Sequence, residues 1–198
     1  MRVPSLVLTG LVALSFVSVA AQTPRNDGAP ETFTATAEVK AATGAITAAI
    51  QIHIRRYTPD FDRTAVETAL KSGGYPAFVT ALRKAPEVGS VAVGDRKFPI
   101  RWAREQKSAN GRKKSANGRT IVVVTDEPVF FVGGGRTDAK PRAGYEVAVI
   151  QLLVDDTGVG SGTMAAATRV KPGGETGVQI DDYADQPITL ATVRRKLP

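Results

Sequence analysis

The chain has 198 residues, 42% of them hydrophobic and 23% charged, which supplies a sizeable core and argues against general disorder. It contains no cysteine, so disulfides, thiolate catalysis, cysteine-held zinc or iron–sulfur clusters and a lipid on a leader cysteine are all excluded. A formal charge of +7 favours anionic partners such as lipid headgroups or acidic polymers, while specifying neither fold nor chemistry.

Residues 1–21, MRVPSLVLTGLVALSFVSVAA, read as a signal peptide. Arg2 supplies the positive start, Leu6 to Val17 the apolar stretch, and Val19-Ala20-Ala21 the small residues for cleavage before Gln22. Serines and threonines interrupt a segment already short of the roughly 18 apolar residues that a membrane span needs. The expectation is an exported protein, periplasmic or secreted, with no transmembrane segment after cleavage. The missing cysteines favour a bacterial envelope over an animal extracellular module. Residues 22–31, polar and proline-bearing, read as a flexible linker, and residues 32–198 as a single domain.

From Thr32, Phe33, Ala35, Ala37 and Val39 alternate with Thr34, Thr36, Glu38 and Lys40, the period of a half-buried strand. After a turn at Thr43-Gly44, Ile46, Ala48, Ile50, Ile52 and Ile54 repeat the pattern, predicting a hairpin. Beyond Pro59 the period lengthens. Thr64 and Glu67 have capping-box spacing before a short helix that ends at Gly73-Gly74. Tyr75, Phe78, Val79 and Leu82 mark a second helix, stopped by Pro86. Together they predict a helical hairpin with one apolar side. Downstream, VGSVAV, KFPIRWAR, RTIVVVTD, PVFFV, YEVAVIQLLVD, VGSGTMAAATRV and ITLATVRR read as further strands. Short turns between them imply antiparallel pairing. The expected fold is α+β: a curved, mainly antiparallel sheet packed with a two-helix hairpin, its closure into a barrel left open by spacing alone.

KSANGRK, residues 107–113, is followed directly by KSANGRT, residues 114–120. Doubling a loop costs only about 0.6 kcal/mol in closure entropy, so this tandem repeat belongs in an exposed turn between two strands. Arg104, Lys107, Arg112, Lys113, Lys114 and Arg119 concentrate there, a candidate anion-binding finger or a solvated loop. Neither this cluster nor Arg194, Arg195 and Lys196 is interleaved with aromatics, so nucleic acid is not expected.

His53 is the only histidine, and no serine and carboxylate are identifiable as its catalytic partners; it reads as a cross-strand hydrogen-bonding or surface residue. Gly158, Gly160 and Gly162 precede a strand rather than a helix, which points to a hairpin, bulge or close contact instead of a dinucleotide loop. Asp181, Asp182 and Asp185 lack a calcium-loop pattern and read as a solvated turn. No metal, cofactor or catalytic residue is expected. Residues 132–144, VGGGRTDAKPRAG, form a long aperiodic segment, a candidate lid. Phe98, Ile100 and Trp102 fall on one face of their strand and, with Phe78 and Leu82 of the second helix, are the candidate lining of an apolar pocket or else plain core.

The segments RYTPDFDRTAVETALKSGGYPAFVTALRKAPEVGSV, GYEVAVIQLLVDDTGVGSGTM and IDDYADQPITLATVR together resemble a recurrent family of small secreted bacterial proteins of uncharacterised function. The resemblance implies export and assigns no residue a catalytic role; the doubled KSANGR segment departs from the shorter loop of that family. The functional expectation is a non-enzymatic envelope module that binds an apolar or amphiphilic anionic ligand, such as a lipid, between sheet and helices. The alternative is a structural or protein-interaction module of the envelope.

Overall fold

The structure is a computed structural model and describes residues 30–41, 44–107, 118–130, 142–174 and 176–196. The leader, most of the linker, the centre of the KSANGR repeat and most of the candidate lid lie outside those residues.

Alternation along the first strands builds the hairpin as expected. β1 (Glu31–Ala41) pairs antiparallel with β2 (Gly44–Ile54), with Phe33, Ala35 and Ala37 on the face shared by Ile50, Ile52 and Ile54. The helical element α1 (Asp60–Lys84) follows, then β3 (Gly89–Val93), β4 (Arg96–Lys107), β5 (Arg119–Thr125), β6 (Val147–Val154), β7 (Val159–Pro172), β8 (Val178–Tyr183) and β9 (Ile188–Lys196). Neighbours run in the order β6-β5-β4-β3-β2-β1-β9-β7, and β6 also pairs with β7, so eight antiparallel strands close into a barrel. β8 extends from the C-terminal half of β7: Thr168 faces Val147 of β6 on one side and Tyr183 of β8 on the other. Closure removes the unpaired edges that an open sheet of this length would present.

Two apolar layers result. The inward faces of the strands fill the barrel with Phe33, Ile52, Ile100, Ile121, Ile150, Leu152, Met164 and their neighbours. Outside, Val66, Leu70, Phe78, Val79 and Leu82 of α1 pack on Trp102, Val122, Val124, Val147 and Val149. Among the described residues no helix is long and apolar enough to cross a membrane.

Three expectations need correction. The predicted two-helix hairpin is one helical element kinked at Gly74, where φ is 66° and ψ is −162°. Gly74 and Pro76 disrupt the hydrogen-bond ladder, but helix resumes at once at Tyr75 and no connecting loop separates the halves. The predicted capping box falls inside the first half: α1 begins at Asp60, and the Thr64 hydroxyl bonds back to the Asp60 carbonyl at 2.8 Å. No strand forms over residues 128–130, where Val129 makes a single backbone bond to the Ala166 carbonyl. The chain leaves the sheet there because the Thr125 hydroxyl is turned onto the Glu127 carbonyl and Asp126 is held by Arg101. The ninth strand is β8 instead, where Val178 and Ile180 face the helix layer and the following aspartates had suggested a turn.

Candidate functional site: the two ends of the barrel

One end of the barrel is sealed by charge. Glu31, Glu105, Arg119 and Arg195 share strand faces with Phe33, Ala103, Ile121 and Val193, so all four point inward from strand ends. Arg119 donates to Glu31 at 2.6 and 3.1 Å and to Glu105 at 3.1 Å, while Arg195 donates to Glu31 at 3.3 Å and the Tyr57 hydroxyl donates to Glu31 at 2.8 Å. The Arg119 guanidinium also stands 5.8 Å from the Phe33 ring centre, on the apolar layer beneath. The Glu31 side chain is only 3% exposed.

Burial pushes the Glu31 carboxyl up, yet hydrogen bonds from Arg119, Tyr57 and Arg195 outweigh it and hold the group below its ordinary value. Burial and the Glu31 charge raise the Tyr57 phenol far above its usual range, so it remains a donor. Two carboxylates and two guanidiniums balance, which lets a charged cluster occupy a barrel end without a net buried charge.

Among the described residues the opposite end holds no such ionic cluster and presents apolar side chains. The β1–β2 hairpin overhangs its neighbours: β3 pairs with β2 only from Ile50 onward, and β9 with β1 no further than Glu38. The overhang carries Val39, Ile46 and Ala48, which are only partly buried against the core. Beside it β4 begins with Arg96, exposed and in phase with the inward-facing Phe98. The Arg96 guanidinium lies 4.9 Å from the Phe98 ring centre and donates to the Phe130 carbonyl at 3.4 Å. Among the described residues no carboxylate pairs with it.

The sequence-derived site residues are scattered by this architecture. Phe98 and Ile100 lie in the barrel interior, whereas Trp102, Phe78 and Leu82 lie in the helix layer. A bulge between Ile100 and Trp102, where β4 gains one residue on β5, turns Trp102 to the outer face. The two groups therefore do not line one pocket. Of the basic residues, Arg119 is bound inside the barrel end, and Arg104 sits on the outer face 3.8 Å from Glu67. Lys107 ends β4, while Arg112, Lys113 and Lys114 lie outside the described residues. Strands β4 and β5, which flank the repeat, meet it at the sealed end; Phe130 and Arg142, which flank the candidate lid, lie towards the apolar end. The described residues that flank the two segments thus lie at opposite ends.

Sequence reasoning missed Glu31, placed in the linker, and Tyr57, Glu105, Arg195 and Arg96. A signal existed: each charged residue among them extends the apolar phase of its own strand, which a solvent-facing charge does not do. Asp182, read as a turn residue, accepts the Tyr145 hydroxyl, and Asp181 pairs with Lys171 at 3.2 Å. Among the described residues no cluster of three acids or histidines is arranged to hold a metal ion. No protein-family model, curated protein or solved structure matches this chain, so barrel geometry carries the functional argument.

Proposed function

We propose that this chain is an exported, non-enzymatic binding module that takes the apolar part of an anionic amphiphile, such as a lipid carboxylate or phosphate, at the open end of its barrel. The observation that carries this reading is the contrast between the two ends: a neutralised ionic plug at one, and at the other partly buried apolar side chains beside the Arg96 guanidinium, which no described carboxylate pairs. Eight-stranded barrels are just wide enough either to fill with side chains or to hold one small ligand. Here the Arg96 end carries Ala37 and Ala48 together with Val39, Ile46 and Phe98. The ionic plug at the far end supports a cup at the mouth rather than a through-channel. The helix layer expected to hold the ligand is filled by Trp102, Phe78 and Leu82, each 0% exposed.

The leader supports export, and amino-terminal sequencing of the protein recovered outside the cytoplasm should begin at Gln22. For the ligand, calorimetric titration of long-chain carboxylates against the matching neutral alcohols should show preference for the anion. Arg96→Gln should lose about five-fold or more in carboxylate affinity while leaving the alcohol unchanged. Ala48→Phe should weaken both. Equal binding of acid and alcohol, or binding indifferent to both substitutions, would overturn the reading.

The second reading, a protein-interaction module, is favoured by Leu153 and Val159, 45% and 48% exposed on the outer face of the β6–β7 hairpin. Removing one KSANGR copy should impair capture of a protein partner and leave amphiphile binding intact.

A further inference from the structure

On the outer wall of the barrel lies a groove of about 330 Å³ lined by Gln51, His53, Ser90, Ala92 and Lys97. Its shape follows from strand register. His53 of β2 stands opposite Ser90 of β3, and Gln51 opposite Ala92, which in turn faces Lys97 of β4. Two short side chains on the middle strand are therefore flanked by long ones on each side, and the wall dips between them.

Each polar group in this dip can donate: the Lys97 ammonium, the Gln51 amide, the Ser90 hydroxyl, and His53 Nε2 when Nδ1 accepts from Thr32. Ser90 is 6% exposed, and among the described residues its hydroxyl has no hydrogen-bond partner although it faces the groove. The hydroxyl is therefore free to bond a ligand that enters the groove. His53 is oriented from behind, its Nδ1 bonded to the Thr32 hydroxyl at 2.9 Å, so Nε2 is the ring nitrogen without a protein partner. Lys97 is exposed, and no described carboxylate pairs with it. No acidic residue lines the groove.

We propose that this groove is a second binding site, for a small oxyanion group, phosphate or carboxylate, held by Lys97 and by the side-chain donors of Gln51, Ser90 and His53. Ala92 forms its floor and gives a short apolar stem somewhere to rest. The site is independent of the barrel mouth: its residues point outward, and Arg96 takes no part in it.

Because His53 is the only histidine, its ring proton signals in an NMR spectrum are unambiguous. At constant pH and ionic strength, inorganic phosphate or acetate should shift them saturably, and the tighter of the two identifies whether phosphorylated or carboxylated ligands are favoured. Lys97→Gln and Ser90→Ala should each weaken that response up to about five-fold, with unchanged Trp102 fluorescence showing that the barrel is intact. Thr32→Val should reduce it less, since Thr32 only orients the ring. A shift that never saturates, meaning an adventitious ion only, would overturn the proposal. So would glucose acting as well as either anion, or wild-type affinity in both the Lys97 and Ser90 variants.

Discussion

Arg119 and Glu31 meet across the barrel axis, Nη2 donating to Oε1 at 2.6 Å, although β5 and β1 stand four strands apart whichever way the ring is followed. The pair spans the lumen and braces opposite walls. Glu105 from β4 and Arg195 from β9 complete the brace from the strands beside each partner.

Removing one member should be far worse than removing both. Arg119→Met leaves Glu31 buried without its main partner, and loss of one side of a buried pair costs about 3–5 kcal/mol. The double variant Arg119→Met with Glu31→Leu should recover much of that loss. Urea unfolding of the two single variants and the double variant checks this through their coupling energy.

The brace also sets an acid limit. Glu31 has a folded-state value below its ordinary 4.5, so its contribution is complete above that value and is lost as pH falls through the lower folded value. Unfolding free energy measured against pH should therefore fall below about 4.5 more steeply in the wild type than in Glu31→Gln. Glu146, Asp155 and Asp182 are also held below their ordinary values and should retain a residual slope in the variant.

Trp102 is fully buried between barrel and helix, with its indole N–H unpaired. Trp102→Ala should cost about 3–5 kcal/mol through the cavity it leaves. Trp102→Phe should cost less than half as much, because removing an unpaired buried donor offsets part of the lost area. Denaturant titration followed by circular dichroism separates the two, since fluorescence vanishes with the residue.

Glycines at two positions should behave differently when given a methyl group. At Gly160 a Cβ would overlap the Leu153 carbonyl oxygen on the neighbouring strand, so Gly160→Ala must distort the β6–β7 hairpin. At Gly74 the space is open, and only the backbone resists, since φ 66° with ψ −162° is a region essentially confined to glycine; Gly74→Ala should cost about 1–3 kcal/mol. Thermal unfolding should rank Gly160→Ala as clearly the more damaging.

Strand alternation made most of the wall legible in the sequence, because each strand buries one face and its period is visible in a few residues. What escaped depended on partners distant along the chain. The bulge that separates Ile100 from Trp102 exists only against β5, and without it the two would share a face. Barrel closure rests on β9 pairing with both β1 and β7, which local spacing does not encode, whereas the β6–β7 hairpin is local. Arg119 belongs to the second copy of the repeat and was grouped with its cations, although its phase with Ile121 and Val123 turns it inward. Arg96 escaped because the strand was read as starting at Lys97, one residue later, whereas its alignment with Phe98 puts it on the inward face.

The seam between β1 and β9 joins residues 160 and more positions apart, Thr34 and Arg194 among them. A wall whose last stave lies opposite its first in chain order cannot close while the polypeptide is still short. Until residue 196 has been made, the sheet keeps two open edges and the Glu31 carboxylate waits for Arg195. Such long-range topologies fold slowly, over about milliseconds to seconds. The nascent chain therefore stays extended and threadable through most of its synthesis, and its exposed edges in that interval are where a chaperone has most to protect.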